Sequence, residues 1–468
     1  MRLINAHTLL LHEFYGENTP PYAILSHTWG DQEVTFQDWK DLGTAAAKSG
    51  FTKVRCACQQ ALTRGLEWMW IDTNCIDKIS SAELTEAINS MFAYYQQSEV
   101  CFAYLSDVPS AKGVDKEVLL RQIRNSRWFT RGWTLQELIA PQHLTFYAAD
   151  WTRIGRKDES LAELITEVTG IDWVFLKGLK QVNRACIAKR MSWLAKRKTT
   201  RVEDMAYCVL GIFDINMPLL YGEGRKAFTR LQEEIIKKTN DHTIFCWTWT
   251  LSVPSDWASL LAPSPINFEG AGEFSSVDNN SQSDELSIFS MTNAGLSIRL
   301  PVMYSVASDS RGLQHHYFVT LLAGPASKAL DGPESLYIGV KGKTRGDLLH
   351  VYRDRYPPRP MTISKKSARL FETRSLIVMD KLPNGAQRWI TPHFPQGAGQ
   401  AGHVTFLPIF NTERLQMDFS LHLGESGECV VDPYLGAITL GINAISPEVS
   451  VGVGHHMRNH VNGKPCTT

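Results

Sequence analysis

The segment from Asn125 to Pro141, NSRWFTRGWTLQELIAP, sets two tryptophans, two arginines and a carboxylate on the approach to a short helix. Earlier stretches carry a similar mixture: Tyr22 to Gly30 reads YAILSHTWG, and Trp68 to Asp77 reads WMWIDTNCID. In each, an apolar run of buried type ends abruptly in hydroxyl, imidazole, carboxylate, thiol or indole groups. Hydroxyls and carboxylates suit ribose hydroxyls, an arginine suits phosphate through paired hydrogen bonds, and indoles stack on flat bases. A nucleotide is the ligand class these side chains describe. The candidate residues are Ser26, His27, Trp29, Asp72, Cys75, Arg131, Trp133 and Glu137.

Such groups converge only if the elements before them run in one direction. Tyr22–Leu25, Glu67–Ile71, Val100–Leu105 and Leu144–Tyr147 are short apolar runs without polar alternation, as expected of strands covered on both faces. Between the second and third, Leu84, Ala87, Ile88, Met91 and Tyr95 recur at helical spacing, with Ser80 and Glu83 as a capping box. The Ala-rich stretch from Thr44 to Thr63 is also helical in pattern. Alternating strands and helices predict a mostly parallel α/β sheet over residues 1–155, and ligands of such sheets bind beyond the strands' carboxyl ends. By that rule Ser26, His27, Thr28 and Trp29 follow the first strand, Asp72 to Cys75 the second, and Ser106 and Asp107 the third.

Each candidate also has a structural alternative. Ser26 and Asp72 could satisfy backbone amides at loop starts, His27 could be a hydrogen-bonded core residue, and the tryptophans could be core. Cys75 could be a small buried residue. Thr134-Leu-Gln-Glu137 fits a capping box, with Glu137 bonding back to the cap amide.

Residues 156–245 read as helical throughout, with a basic run from Lys189 to Arg201 that reads as a solvated helix face and connecting loop, an anion or nucleotide contact being the alternative. From 246 to 450 the period changes to two, in short runs punctuated by Gly, Pro, Asn and Asp, which predicts an antiparallel β-sandwich-like domain. Residues 451–468 read as a poorly ordered tail. Lys plus Arg and Asp plus Glu balance at 48 each, so no global field favours nucleic acid. Nine dispersed cysteines and the lack of a signal-like or membrane-spanning run fit a soluble, cytoplasmic chain with reduced thiols. Two motifs are set aside. Gly339-Val-Lys-Gly342-Lys343-Thr344 has Tyr337 where a P-loop needs glycine, and Gly222-Glu-Gly224 lacks the preceding strand of a dinucleotide fingerprint. No metal-ligand spacing is present, and no cofactor is expected.

The segments Ala23–Gly30, Trp70–Asp77 and Arg131–Glu137, with Thr200–Phe228 downstream, resemble the HET (heterokaryon incompatibility) domain of filamentous fungi. Position 74, often Cys in that family, is Asn here. Thr292–Pro301 adds a weaker resemblance in the β-rich half. The family implies a role in non-self recognition and programmed cell death. HET domains are remotely similar to TIR domains, some of which cleave NAD at the nicotinamide–ribose bond. The resemblance therefore implies a TIR- or flavodoxin-like fold, NAD as substrate and Glu137 as the catalytic glutamate. Ser26, His27, Trp29, Asp72, Cys75, Arg131 and Trp133 would then be substrate-binding. It also implies self-association and a protein trigger. A non-catalytic signalling or nucleotide-sensing module is the competing expectation.

Overall fold

The structure is a computed structural model. It describes residues 1–276 and, beyond them, 289–309, 312–325, 335–345, 348–353, 359–363, 372–380, 402–407, 418–423, 429–432, 434–436 and 438–442. The chain divides into two compact units, one of residues 1–185 and 190–235, the other of residues 186–189 and 236–468.

In the first unit a seven-stranded sheet runs in the order β2-β1-β4-β3-β5-β6-β7. Its strands are β1 (Arg2–Asn5), β2 (Leu11–Glu13), β3 (Ala23–His27), β4 (Trp68–Trp70), β5 (Val100–Leu105), β6 (Leu144–Ala148) and β7 (Arg153–Arg156). The middle four pair in parallel, with Ile24 opposite both Trp70 and Cys101, and Ala103 opposite Phe146. Every residue of β3 and β6 is buried, which is why these runs show no alternation. Counted along the chain, the parallel strands lie in the order 2-1-3-4, the doubly wound order whose direction reverses between β3 and β5. The mostly parallel α/β reading is therefore correct. The antiparallel edges β1, β2 and β7 were not legible, being short and half polar, although Leu3 and Ile4 are fully buried.

The helices of this unit are α1 (Phe36–Trp39), α2 (Leu42–Ala46), α3 (Gly50–Thr63), α4 (Asp72–Cys75), α5 (Ser81–Gln97), α6 (Lys116–Arg124) and α7 (Thr134–Ile139). Then come α8 (Ala162–Thr169), α9 (Trp173–Leu176), α10 (Ile187–Ala195), α11 (Asp204–Tyr207) and α12 (Lys226–Lys238), of which α10 has its first three residues and α12 its last three in the second unit. The single helix expected over Thr44–Thr63 is two, because the Gly50 amide bonds the Gln32 carbonyl at 3.2 Å instead of continuing α2. At α5 the Ser80 hydroxyl caps the Glu83 amide at 3.3 Å, but the Glu83 carboxylate bonds the Asp77 amide at 2.7 Å, so half of the expected box forms. The Gly222–Gly224 motif is a turn with both glycines at positive φ, and its two amides hold the Glu203 carboxylate at 2.8 and 3.0 Å. An internal carboxylate thus occupies the nest that a nucleotide phosphate would need.

In the second unit, twelve strands among the described residues join one sheet. Gly295–Asp309 threads it, pairing antiparallel with Gly312–Leu321 and with Glu372–Val378. The expected β runs are present, but three pairings are parallel, including Arg359–Ile363 with Cys429–Asp432. The sheet is thus mostly rather than wholly antiparallel, and Ala323–Pro325 pairs with Phe274–Ser276 in a separate two-stranded sheet. The apparent P-loop lies inside the strand Ser335–Arg345. In the core of this unit Arg353 stacks 3.7 Å over the Trp247 ring and donates to the carbonyls of Phe245 and Trp247. The expected tail, 451–468, lies outside the described residues. No helix among the described residues is long and apolar enough to cross a membrane.

Candidate functional site

Ser26 is the fourth residue of β3 and is fully buried at the point where strand order reverses. Its hydroxyl donates to Glu137 Oε2 at 2.5 Å and accepts from Trp128 Nε1 at 2.9 Å. Trp128 comes from a 3-10 turn (Arg127–Thr130) that the ends of β5 hold in place. Asp107 accepts from the Ser126 hydroxyl at 2.7 Å and from the Arg127 amide at 2.8 Å. The aromatic ring of Trp128 packs edge-on against Phe129 and Phe146. Asp107 is thus a structural clamp for Trp128.

Glu137 is only 7% exposed. Burial pushes its carboxyl up to about 8, helped by the negative Asp72, although the Ser26 hydroxyl bond and Arg197 oppose the shift. At neutral pH this carboxyl is mostly protonated. The capping-box alternative for Glu137 is overturned. Helix α7 begins at Thr134 with Trp133 as its cap, and the Thr134 hydroxyl is spent on the carbonyls of Trp128 and Arg131. The Glu137 carboxylate points instead to Ser26.

A rim surrounds this centre. Trp29, just past β3, is 51% exposed and donates from Nε1 to Asp72 Oδ2 at 3.1 Å. Lys78 reaches the same oxygen at 3.0 Å and lies 3.6 Å over the Trp29 ring. Arg127 donates to the Trp29 carbonyl at 3.4 Å. Beneath Trp29, His27 lies 3.7 Å from Glu33 Oε2 and 3.9 Å from Asp72 Oδ1, and neither ring nitrogen has a hydrogen-bond partner. Burial and the nearby Lys53 hold the His27 pKa below its ordinary value. Burial pushes Glu33 up, but His27 and Lys53 outweigh it and bring the carboxyl to about 2. Glu33 is therefore an anion that pairs with Lys53 and also caps the Gly30 amide at 2.7 Å.

The structure thus brings Ser26, His27, Trp29, Asp72 and Glu137 together, and keeps three candidates apart from them. Cys75 is buried, its sulfur accepts from the Ile71 amide at 3.4 Å, and burial raises its thiol to about 12, so it packs as a small apolar group. Arg131 donates to Thr200 at 3.3 Å and Trp133 to Asp204 at 3.4 Å. Both face residues 197–204, which run beside residues 130–132 through Gly132–Lys198 and Lys198–Thr130 backbone bonds. The approach is tight enough that a Cβ on Gly132 would lie 2.5 Å from Thr199 Cγ2.

Residues the sequence did not mark complete the arrangement. Arg197, from the basic run read as solvated, is buried and donates to the Arg131 carbonyl at 2.8 Å and the Thr134 hydroxyl at 2.9 Å. Lys157, also buried, donates to the carbonyls of Leu138 and Pro141 beyond Glu137, and burial lowers its pKa to about 8. The two cations anchor opposite ends of α7. Glu33 had a faint signal, since Gly30-Asp-Gln-Glu33 places a carboxylate three residues past a turn glycine. Among the described residues no cluster of His, Cys, Asp and Glu could hold a metal ion.

The first unit is thus an α/β domain with polar groups gathered where its strand order reverses. Residues 22–118 match the model of Heterokaryon incompatibility protein (HET), and residues 226–304 that of Domain of unknown function (DUF8212). Residues 22–118 are thus the part of the chain that is similar to a HET domain. It is similar to Vegetative incompatibility protein HET-E-1 of Podospora anserina, 48% identical over 223 residues. That stretch is 47% of this chain and 16% of the relative's length. No solved structure gives a significant match.

Proposed function

We propose that this chain acts in vegetative incompatibility and that its α/β unit is an NAD glycohydrolase with Glu137 as the catalytic carboxylate. The observation that carries the reading is the Ser26–Glu137 hydrogen bond, 2.5 Å long, at the sheet's switch point. In the reaction the bond from the ribose anomeric carbon to the nicotinamide nitrogen breaks, water adds to that carbon, and ADP-ribose, nicotinamide and a proton result. Nicotinamide leaves as a neutral ring from a cation, so no strong general acid is needed. The protein's task is to stabilise an oxocarbenium-like ribose, which an ionised Glu137 does electrostatically. Trp29 would flank a ring and Asp72 a ribose hydroxyl, while Lys78 and Arg127 take the place of Arg131 as the cations at the rim. A carboxyl titrating at about 8 is mostly uncharged at neutral pH, which supports low activity in the resting chain and activation on self-association or by a protein trigger.

A specific observation favours a second reading. Ser26 and Trp128 are completely buried and Glu137 nearly so, which also suits a structural centre in a non-catalytic module that signals through protein contacts. Nicotinamide release from NAD by the full chain, with and without crowding agent and across pH 6–9, separates the two. The glycohydrolase reading expects release that rises as pH passes about 8 and vanishes in Glu137→Gln. No release under any condition leaves the signalling reading, whereas equal release by the variant removes Glu137 as the catalytic carboxylate.

A further inference from the structure

We propose that the turn around α9 is a docking surface for an anionic lipid membrane. Helix α9 is anchored from one side, where Ile171, Phe175 and Leu176 are buried and the Phe175 ring lies 5.3 Å from that of Trp193. Gly178, at φ +69°, ends the helix in a left-handed turn, and the Leu179 amide returns to the Val174 carbonyl at 3.0 Å. That closure leaves two large apolar side chains outside, Trp173 at 48% and Leu179 at 70% exposure.

Basic residues frame them. Lys177, Lys180 and Arg184 are all exposed, with Lys177 5.2 Å from the Trp173 ring, and Asp172 is the one acidic residue from 170 to 184. The chain's net charge is zero, so this cationic character is local. An indole and a leucine at a turn tip, with Lys177 beside the indole and Lys180 and Arg184 following in the chain, match the two parts of a bilayer interface. The apolar groups enter the headgroup–acyl boundary while the cations meet anionic headgroups. Size favours lipid over protein. Two side chains fall far short of the roughly 800 Å² per partner that a stable protein interface needs, whereas a small inserted apolar area combined with cations gives reversible attachment to an anionic membrane.

The test is co-sedimentation of the full chain with vesicles of phosphatidylcholine alone or mixed with phosphatidylserine. Circular dichroism confirms that each variant is folded. The expected result is binding to the anionic vesicles that weakens with salt. Lys177→Glu with Lys180→Glu should weaken it at least about twentyfold, since each cation near the surface contributes roughly a fivefold factor. Trp173→Ser with Leu179→Ser should weaken it about tenfold while keeping the salt dependence. Absence of binding to anionic vesicles, equal binding to neutral ones, or folded variants that bind like the parent would each overturn the assignment. So would substitutions that change the oligomeric mass and leave vesicle binding unaltered, because the patch would then join copies of this chain.

Discussion

Ser26, Trp128 and Glu137 are almost wholly shut away from water, whereas past the strand ends Trp29 is half-exposed and Asp72 and Lys78 are only partly covered. The inner group contains an acid that burial keeps protonated. In the rim, Asp72 stays ionised because Lys78 and His27 outweigh the cost of burying it. Two carboxyls a short way apart are thus held in opposite charge states by environment alone, the arrangement expected where acid–base roles are divided. The centre should behave as part of the core and the rim as part of a binding edge.

The largest expected difference is in stability. Trp128→Ala removes a fully buried indole and leaves Ser26 without its donor, so it should cost about 3–5 kcal/mol in denaturant unfolding. Trp29→Ala, at a half-exposed position, should cost under about 1 kcal/mol. Similar costs for both would erase the distinction between centre and rim. Next comes Arg197→Ala, expected at about 2–3 kcal/mol because the part-buried Arg131 carbonyl and the buried Thr134 hydroxyl lose a charged donor. A change below about 0.5 kcal/mol would show that α7 does not depend on this cation.

The third effect is a slope. Glu137 holds its proton more tightly folded, at about 8, than at its ordinary value of 4.5. Its contribution is therefore complete below about pH 4.5 and is lost as pH rises toward 8, by up to about 1.4 kcal/mol per pH unit. Glu137→Gln cannot ionise, so its melting temperature should fall less than the parent's over that window. Parallel curves would mean that Glu137 titrates normally.

What the sequence disclosed follows from how local each feature is. Strands β3, β5 and β6 announce themselves because burial on both faces demands unbroken apolar runs. Asp72 lies past its strand end, as the strand direction and the carboxyl-edge rule require, whereas Ser26, expected just past the first strand, lies inside β3 because that strand runs on to His27. Arg131 and Trp133 have the right side-chain types but the wrong orientation, which is set by residues 197–204, far along the chain. Lys157 and Arg197 gave no signal, since a cation that caps carbonyls from inside looks in sequence like any surface cation. The β runs of the second unit were legible from alternation, but the parallel pairing of Met361 with Cys429 joins positions that no local pattern connects.

The smallest expected effect tests whether centre and rim are electrically joined. Asp72→Asn keeps a carbonyl oxygen for the Trp29 indole N–H but removes the charge facing Lys78. A pair at the protein's edge contributes about 0.2–1 kcal/mol, so the stability change should be slight. The informative readout is Glu137. The Asp72 charge helps to raise its pKa, so the neutral variant should move the Glu137 titration toward acid, by less than the whole displacement because burial remains the larger cause. Carbon-detected NMR of the Glu137 carboxyl follows this directly, and the pH at which the stability slope levels should shift with it. A titration unmoved by Asp72→Asn would mean that solvent screens the rim from the centre. The carboxyls would then act independently, and rim ligands could not tune Glu137 through charge.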